Sequence, residues 1–270
     1  MYPVLFTIKP FTVFSFQIGP ISLYSYGLCV ALAFLAGIWV AIKKAEHAQI
    51  EKDLILDLGL YLLISSIIGA RLLYVLCNMS FYKLNPWKIF SLQEGGLAFF
   101  GGLILSTIVG SLFLRKRKVE ILKIADIVAP SIALGLAIGR IGCFLYGCCY
   151  GKRTTLPWGI IFPINSPAGS AFPGMHIHPT QIYSSLNGLI LLFLLTRIYQ
   201  IKRFSGQVFC AFLLLYSITR GLLEFLRADQ EILLLNLTLT QIFCIFLFVG
   251  AMIWYCILAR SQQSTKETVR

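Results

Sequence analysis

Charge is what this sequence has least of. Only 13% of its 270 residues are Asp, Glu, Lys or Arg, against about 25% in a soluble domain, while 58% are hydrophobic. That balance excludes an ordinary soluble domain and predicts an integral membrane protein. Acidic residues are the scarcer sign, 11 against 23 basic ones, yet no basic patch with interleaved aromatics occurs, so nucleic acid is not an expected partner. The sequence has no P-loop, dinucleotide fingerprint, zinc-protease motif or GxSxG elbow. It also lacks internal repeats and any Ser/Gly-rich or Pro-rich linker, so residues 1–270 read as one domain. The first twenty residues have no charged start, apolar core and small-residue site in succession, which predicts no cleavable leader.

What is present is long apolar runs. A spanning helix takes about 20 mostly apolar residues, and seven segments satisfy this: 21–42, 54–77, 95–114, 121–145, 180–200, 206–226 and 236–259. The fold class is therefore an all-α integral membrane protein with about seven transmembrane helices. Lys and Arg crowd the connections after the first, third and fifth spans and the C-terminal tail, as in Lys43, Lys44 and the run Arg115 to Lys118. The opposite face has only Lys9, Lys83, Lys88, Lys152, Arg153 and Arg227. Basic loops stay cytoplasmic, so the N-terminus is expected outside and the C-terminus inside. The Gly/Pro-rich stretch 146–178, between helices four and five, is then external and long enough to fold as a cap.

Three arginines, Arg71, Arg140 and Arg220, fall within or at the ends of spans, where a charge is expensive and signals function by default. At 1.5 Å per residue all three lie in the outer half. Tyr24, Tyr26, Glu94, His178 and Gln181 enter at the same level. Arg220, Glu224 and Arg227 follow i, i+4, i+7 spacing and are expected on one helix face lining a cavity. Each also has a structural reading. Arg71 could snorkel or tie to Glu94 or Asp57; Arg220 and Glu224 could be a simple ion pair, although Arg before Glu is the weaker order. Tyr24 and Tyr26 could belong to an interfacial belt, and Asp126, near an inner end, reads as structural. A positive cavity at headgroup level suits a phospholipid, since the Arg fork grips phosphate at two points. A transporter is the alternative, but repeats and midplane charges are missing.

The stretch GRIGCFLYGCCYGK, residues 139–152, adds Cys143, Cys148 and Cys149 beside Arg140. Small buried packing groups are one reading of these cysteines, and a disulfide at the oxidising face is another. His176 and His178 could join them around a metal, but HxH spacing alone is weak, and no metal site is expected. The expectation is that the cysteines shape the outer loop.

The motifs YGL at Tyr26–Leu28, GARLLY at Gly69–Tyr74, EGGLAFFGGL at Glu94–Leu103, GRIG at Gly139–Gly142, HPTQIY at His178–Tyr183 and RGLLEFLR at Arg220–Arg227 occur in one order across nearly the whole chain. Together they resemble the prolipoprotein diacylglyceryl transferases of bacteria. The resemblance implies a multi-pass enzyme of the bacterial inner membrane. Its partners would be phosphatidylglycerol, prolipoprotein signal peptides and the bilayer. The enzyme would transfer the diacylglyceryl group to the lipobox cysteine thiol as a thioether and release glycerol phosphate. It implies catalytic roles for Tyr26, Arg140, Arg220 and Glu224. Arg140, Arg71, Gly101, Gly102, Gly151, His178 and Gln181 would contact substrate, with no cofactor. The chain departs from the family's pattern at Phe100, where members have His, at Cys143, where they have Asn, and at Cys148, where they have Glu. A related transferase with another acceptor, or a transport or binding protein for an anionic lipid, is the competing expectation. With Phe100 in place of His, the base that takes the thiol proton is left among Tyr26, Glu224 and the lipid phosphate.

Overall fold

A computed structural model describes residues 4–8, 11–13, 16–18, 21–91, 95–234 and 236–268. Seven of its helices are long and apolar enough to cross a membrane. They are α1 (Ser25–His47), α2 (Lys52–Cys77), α4 (Phe99–Lys116), α5 (Ile121–Tyr146), α7 (Thr180–Ile201), α8 (Gln207–Glu224) and α9 (Leu239–Thr268). Short helices α3 (Met79–Leu84) and α6 (Pro167–Ala171) lie in the connections, and a 3-10 turn covers Pro86–Phe90. The protein is a multi-pass, all-α membrane protein.

The span boundaries need three corrections. Residues 21–24 are not helical but form strand β4 (Ile21–Tyr24), paired antiparallel with β1 (Val4–Ile8); β2 (Phe11–Val13) pairs with β3 (Phe16–Ile18) between them. The third span starts at Phe99 rather than 95, because Gly95 and Gly96 both take left-handed φ values of 80° and 83°. The sixth ends at Glu224 with Phe225 as its cap, so Arg227 leaves the helix face on which its spacing had placed it.

The chain packs as two compact units, residues 41–124 and the rest. In the smaller, α2 and α4 approach closely. A Cβ on Gly102 would stand 2.8 Å from the Ser66 carbonyl oxygen, and one on Gly101 would collide with the backbone of Gly69. Small residues are what let helix backbones approach in lipid, where the hydrophobic effect does not drive helices together. At its other end Arg117 pairs with Asp57 at 3.1 Å, both exposed.

In the larger unit α5, α7 and α8 share a core of Ala129, Ala133, Leu191, Leu195, Val208 and Phe212. A Cβ on Gly188 of α7 would stand 2.8 Å from the Ala137 nitrogen of α5. Asn187 donates to Thr219 at 3.1 Å, tying α7 to α8. Asp126 is wholly buried and fully used. It accepts from Lys202 Nζ (3.0 Å) and from the backbone nitrogens of Gly206 (2.9 Å) and Phe209 (3.0 Å). A carboxylate at the first turn of α8 satisfies free N–H groups and offsets the helix dipole, which is the structural role its sequence position suggested.

The Gly/Pro-rich connection does fold as a cap. Phe162, Ala168 and Ile177 form its own small core. Ile160 and Ile177 exchange backbone bonds of 3.0 and 3.1 Å. Ser166 caps α6 by accepting from the Gly169 nitrogen at 3.1 Å.

Candidate active site

Arg71, in the smaller unit, is 7% exposed, and all of its donors are occupied. Nε donates to Ile89 O (2.8 Å), Nη1 to Gly95 O (2.6 Å) and Gly96 O (3.0 Å), and Nη2 to Lys88 O (2.5 Å) and Ser91 O (2.9 Å). A guanidinium has five N–H groups, so none is left for a phosphate. Arg71 organises the loop after α3. It does not pair with Asp57, which Arg117 holds, and Glu94 lies outside the described residues. Gly101 and Gly102 face α2 and serve helix packing. Phe100 is 43% exposed and meets Phe99 edge to face with ring centroids 5.6 Å apart.

In the larger unit the remaining expected residues gather around the end of α5. Arg140 is half-buried and makes no hydrogen bond or ion pair with any described residue. A guanidinium that α5 carries in an apolar span without a carboxylate partner among the described residues is a candidate functional group. Tyr26 stands at the start of α1, 45% exposed, and interacts electrostatically with Arg140 and with the three thiols. Gly142 brings α1 and α5 together: a Cβ there would stand 2.8 Å from Cys29 Cβ and 3.3 Å from the Tyr26 ring.

The cysteines converge as well. The Sγ atoms of Cys143, Cys148 and Cys149 all lie within 4.8 Å of one another, and all three are free thiols. The turn that brings them together needs left-handed backbone at Gly147 (φ 84°) and, unusually for a side-chain residue, at Cys149 (φ 59°). Cys149 is held below the ordinary thiol range, first by the S–H groups of Cys143 and Cys148. Burial opposes that shift, and the guanidiniums of Arg227 and Arg140 support it. Cys148 is raised, by the same sulfur contacts and by burial.

Two residues of α7 hold this turn. Thr180 donates to Cys149 O and Gln181 Nε2 to Cys148 O, each at 2.7 Å. Gln181 is fully buried, and its Oε1 has no hydrogen-bond partner. Gly151 lies flat against His178, where a Cβ would be 2.5 Å from the His178 oxygen. Gly151 also bridges to Arg227. His178 Nδ1 meets Tyr183 Oη at 3.3 Å, and Tyr183 Oη accepts from Trp158 Nε1 at 2.8 Å. His176 contacts Gly159 O at 3.0 Å. Neither histidine joins the thiols.

Arg220 does pair with Glu224, through Nη1 and Oε2. Glu224 is 2% exposed and has two further contacts: Thr238 Oγ1 donates to Oε1 at 3.1 Å, and Arg227 Nη1 lies 3.8 Å from Oε2. Arg227 in turn holds Asp229 in a two-point fork, Nε to Oδ1 at 2.9 Å and Nη2 to Oδ2 at 2.6 Å. Burial works against the Arg227 charge, but Asp229, Cys149 and Glu224 more than offset it. Arg227 thus links the Arg220–Glu224 pair to Cys149, beside which Arg140 also acts. Sequence reasoning placed Arg227 on the helix face of Arg220 and Glu224, where the structure puts it past the helix end, and missed Asp229 and Thr238. The spacing of Arg227 three residues after Glu224 was the available signal.

A polytopic helical protein in which Arg140, Arg220 and Arg227 gather beside a folded loop, Arg140 without a hydrogen bond to any described residue, has the features of a membrane enzyme. The sequence profile of the prolipoprotein diacylglyceryl transferases matches residues 13–257. The phosphatidylglycerol–prolipoprotein diacylglyceryl transferase of Clostridium tetani is 35% identical over 234 residues, 87% of this chain and 92% of that protein. The protein of the same name from Bacillus cereus (strain G9842) is 35% identical over 253 residues, 93% of each chain. This chain belongs to the prolipoprotein diacylglyceryl transferase family.

Proposed function

We infer that the chain performs the reaction its relatives are named for. It transfers the diacylglyceryl group of phosphatidylglycerol to the lipobox cysteine thiol of a prolipoprotein, at the outer face of the bacterial inner membrane, with the whole chain acting as one transferase domain. The observation that carries this reading is Arg140, an intramembrane guanidinium that makes no hydrogen bond or ion pair with any described residue. In the reaction a carbon–oxygen bond to phosphate breaks and a carbon–sulfur bond forms. Glycerol phosphate leaves with the electron pair, and the thiol gives up its proton.

Cationic donors aimed at the departing phosphate stabilise the charge that develops there. Arg140 suits this role directly, and Arg220 shares it. Both oxygens of Glu224 are engaged, by Arg220 and Arg227 on one and by Thr238 on the other. That favours a positioning role for Glu224 over proton acceptance. The apolar cleft lined by Ser217, Gly221, Phe225, Gln241, Cys244 and Phe248 lies beside this group and suits an acyl chain. Tyr26 and His178 complete the substrate surface, while the buried Gln181 and Gly151 act by holding the Cys148 carbonyl and Arg227 in place.

The deciding experiment expresses this chain in a bacterium depleted of its own transferase. Growth, with diacylglyceryl-modified lipoprotein detected by mass spectrometry, is expected. Unmodified prolipoprotein accumulating despite normal membrane levels of the protein would overturn the reading.

A further inference from the structure

The three thiols beside Arg140 have no part in the reaction as described above. We propose that Cys143, Cys148 and Cys149 bind a soft divalent metal ion, zinc or a chemical equivalent, and that its fourth position receives the acceptor cysteine; the second half of this rests on the function inferred above.

The geometry is that of an open three-ligand site. With metal–sulfur bonds of about 2.3 Å, three sulfurs on a tetrahedral ion stand roughly 3.8 Å apart. The three Sγ atoms already lie within 4.8 Å of one another, so small side-chain rotations complete the arrangement. The turn that carries them is fixed from several sides. The nitrogens of Gly147 and Cys148 both donate to Cys143 O, at 2.9 and 3.2 Å. Thr180 and Gln181 grip the next two carbonyls. Ala168 N, from the cap, donates to Gly147 O at 3.0 Å.

Charge fits too. Three thiolates on a divalent ion leave a net negative centre, and the guanidiniums of Arg140 and Arg227 both act on this cluster. Among the described residues no histidine or carboxylate joins the group. Three protein ligands with one position open is the pattern of a catalytic zinc site, where closed four-ligand sets are structural.

The open position answers a chemical need. A thiol on such a metal is deprotonated outright, so the acceptor cysteine would bind as thiolate and release its proton to water. The metal-held sulfur then attacks the glycerol carbon, the carbon–oxygen bond breaks, and glycerol phosphate takes the electron pair. No general base is then required.

The test loads the full-length protein, purified in lipid nanodiscs without reductant, with Co2+. Thiolate-to-cobalt charge-transfer absorption at one ion per chain is expected, and loss of both band and bound cobalt in Cys148→Ser and in Cys143→Asn. Membrane accumulation and thermal unfolding measured on both variants separate loss of metal from a folding defect. A lipobox peptide should shift the band, and the same peptide with Ser for Cys should not. The metal site is overturned by absence of the band, by binding that survives both variants, or by a disulfide within the trio found on peptide mapping. The thiol-receiving role is overturned if the Cys peptide leaves the spectrum unchanged. A shifted band without diacylglyceryl transfer to the peptide would support the site and count against the inferred transferase activity instead.

Discussion

Thr238 and Glu224 meet at 3.1 Å, hydroxyl to carboxylate, at the junction of α8 and α9. Thr238 is at once the N-cap of α9. Its Oγ1 accepts from the Gln241 nitrogen at 3.3 Å, and Gln241 Oε1 accepts from the Thr238 nitrogen at 2.9 Å. This reciprocal capping box fixes the hydroxyl, and the hydroxyl fixes the carboxylate that holds Arg220 and Arg227. Thr238→Val should therefore cost about 1 kcal/mol of stability through the cap and also lower turnover. Thr238→Ser should restore both. Thermal unfolding and transfer assays on the two variants check this, and full activity in Thr238→Val would separate the cap from the site.

Arginine at 140 and 220 should resist replacement by lysine. A point charge lacks the planar fork that grips phosphate at two positions. Arg140→Lys and Arg220→Lys are each expected to lose about 100-fold or more in turnover, while the proteins still accumulate in the membrane. Wild-type rates in both variants would remove the phosphate role.

Arg71 predicts a different phenotype. Its five donors end on backbone carbonyls between Lys88 and Gly96, and lysine's single nitrogen cannot span them. Each hydrogen bond lost from the charged guanidinium costs about 1.5–3 kcal/mol. Arg71→Lys should show a lowered unfolding temperature with the apparent affinity for phosphatidylglycerol little changed. A selective loss of lipid affinity at normal stability would return Arg71 to the substrate.

Gly151→Ala places a methyl 2.5 Å from the His178 oxygen and 2.6 Å from its Cβ. The backbone must move, at about 1–3 kcal/mol for overpacking. Because Gly151 also bridges to Arg227, the shift should reach the Glu224 group. Reduced thermal stability together with reduced turnover is the expected result, and normal values for both would count against this coupling.

Orientation can be read with reporter fusions after residues 48 and 160. The first should be active only as a cytoplasmic reporter and the second only as an external one. The reverse pattern would invert the assigned topology.

Sequence alone determined the class of this protein, because membrane insertion depends on local composition. Each span is a contiguous apolar run, and α1, α2, α4, α5, α7, α8 and α9 correspond to the seven expected segments. The intramembrane arginines were equally legible, since a charge in an apolar run is conspicuous wherever it points. What composition could not decide was how each charge is used. Arg71 and Arg140 look alike in sequence, yet one has every donor on a carbonyl of the loop that includes Lys88, Ile89, Ser91, Gly95 and Gly96, and the other makes no hydrogen bond with any described residue. Only the fold of that loop, with left-handed Gly95 and Gly96, makes the difference. Likewise Gly101 and Gly102 sit in a shared motif, but a neighbouring helix determines that their bare faces are packing surfaces. The helix boundary at Glu224 moved Arg227 off its expected face, and the Gly151 bridge then set it beside Glu224. The convergence of Cys143, Cys148 and Cys149 depends on a left-handed cysteine and on contacts from α7 and the cap, groups 21 to 33 residues away in the chain. Such long-range contacts leave no periodic trace in the sequence, so tertiary structure alone could decide them.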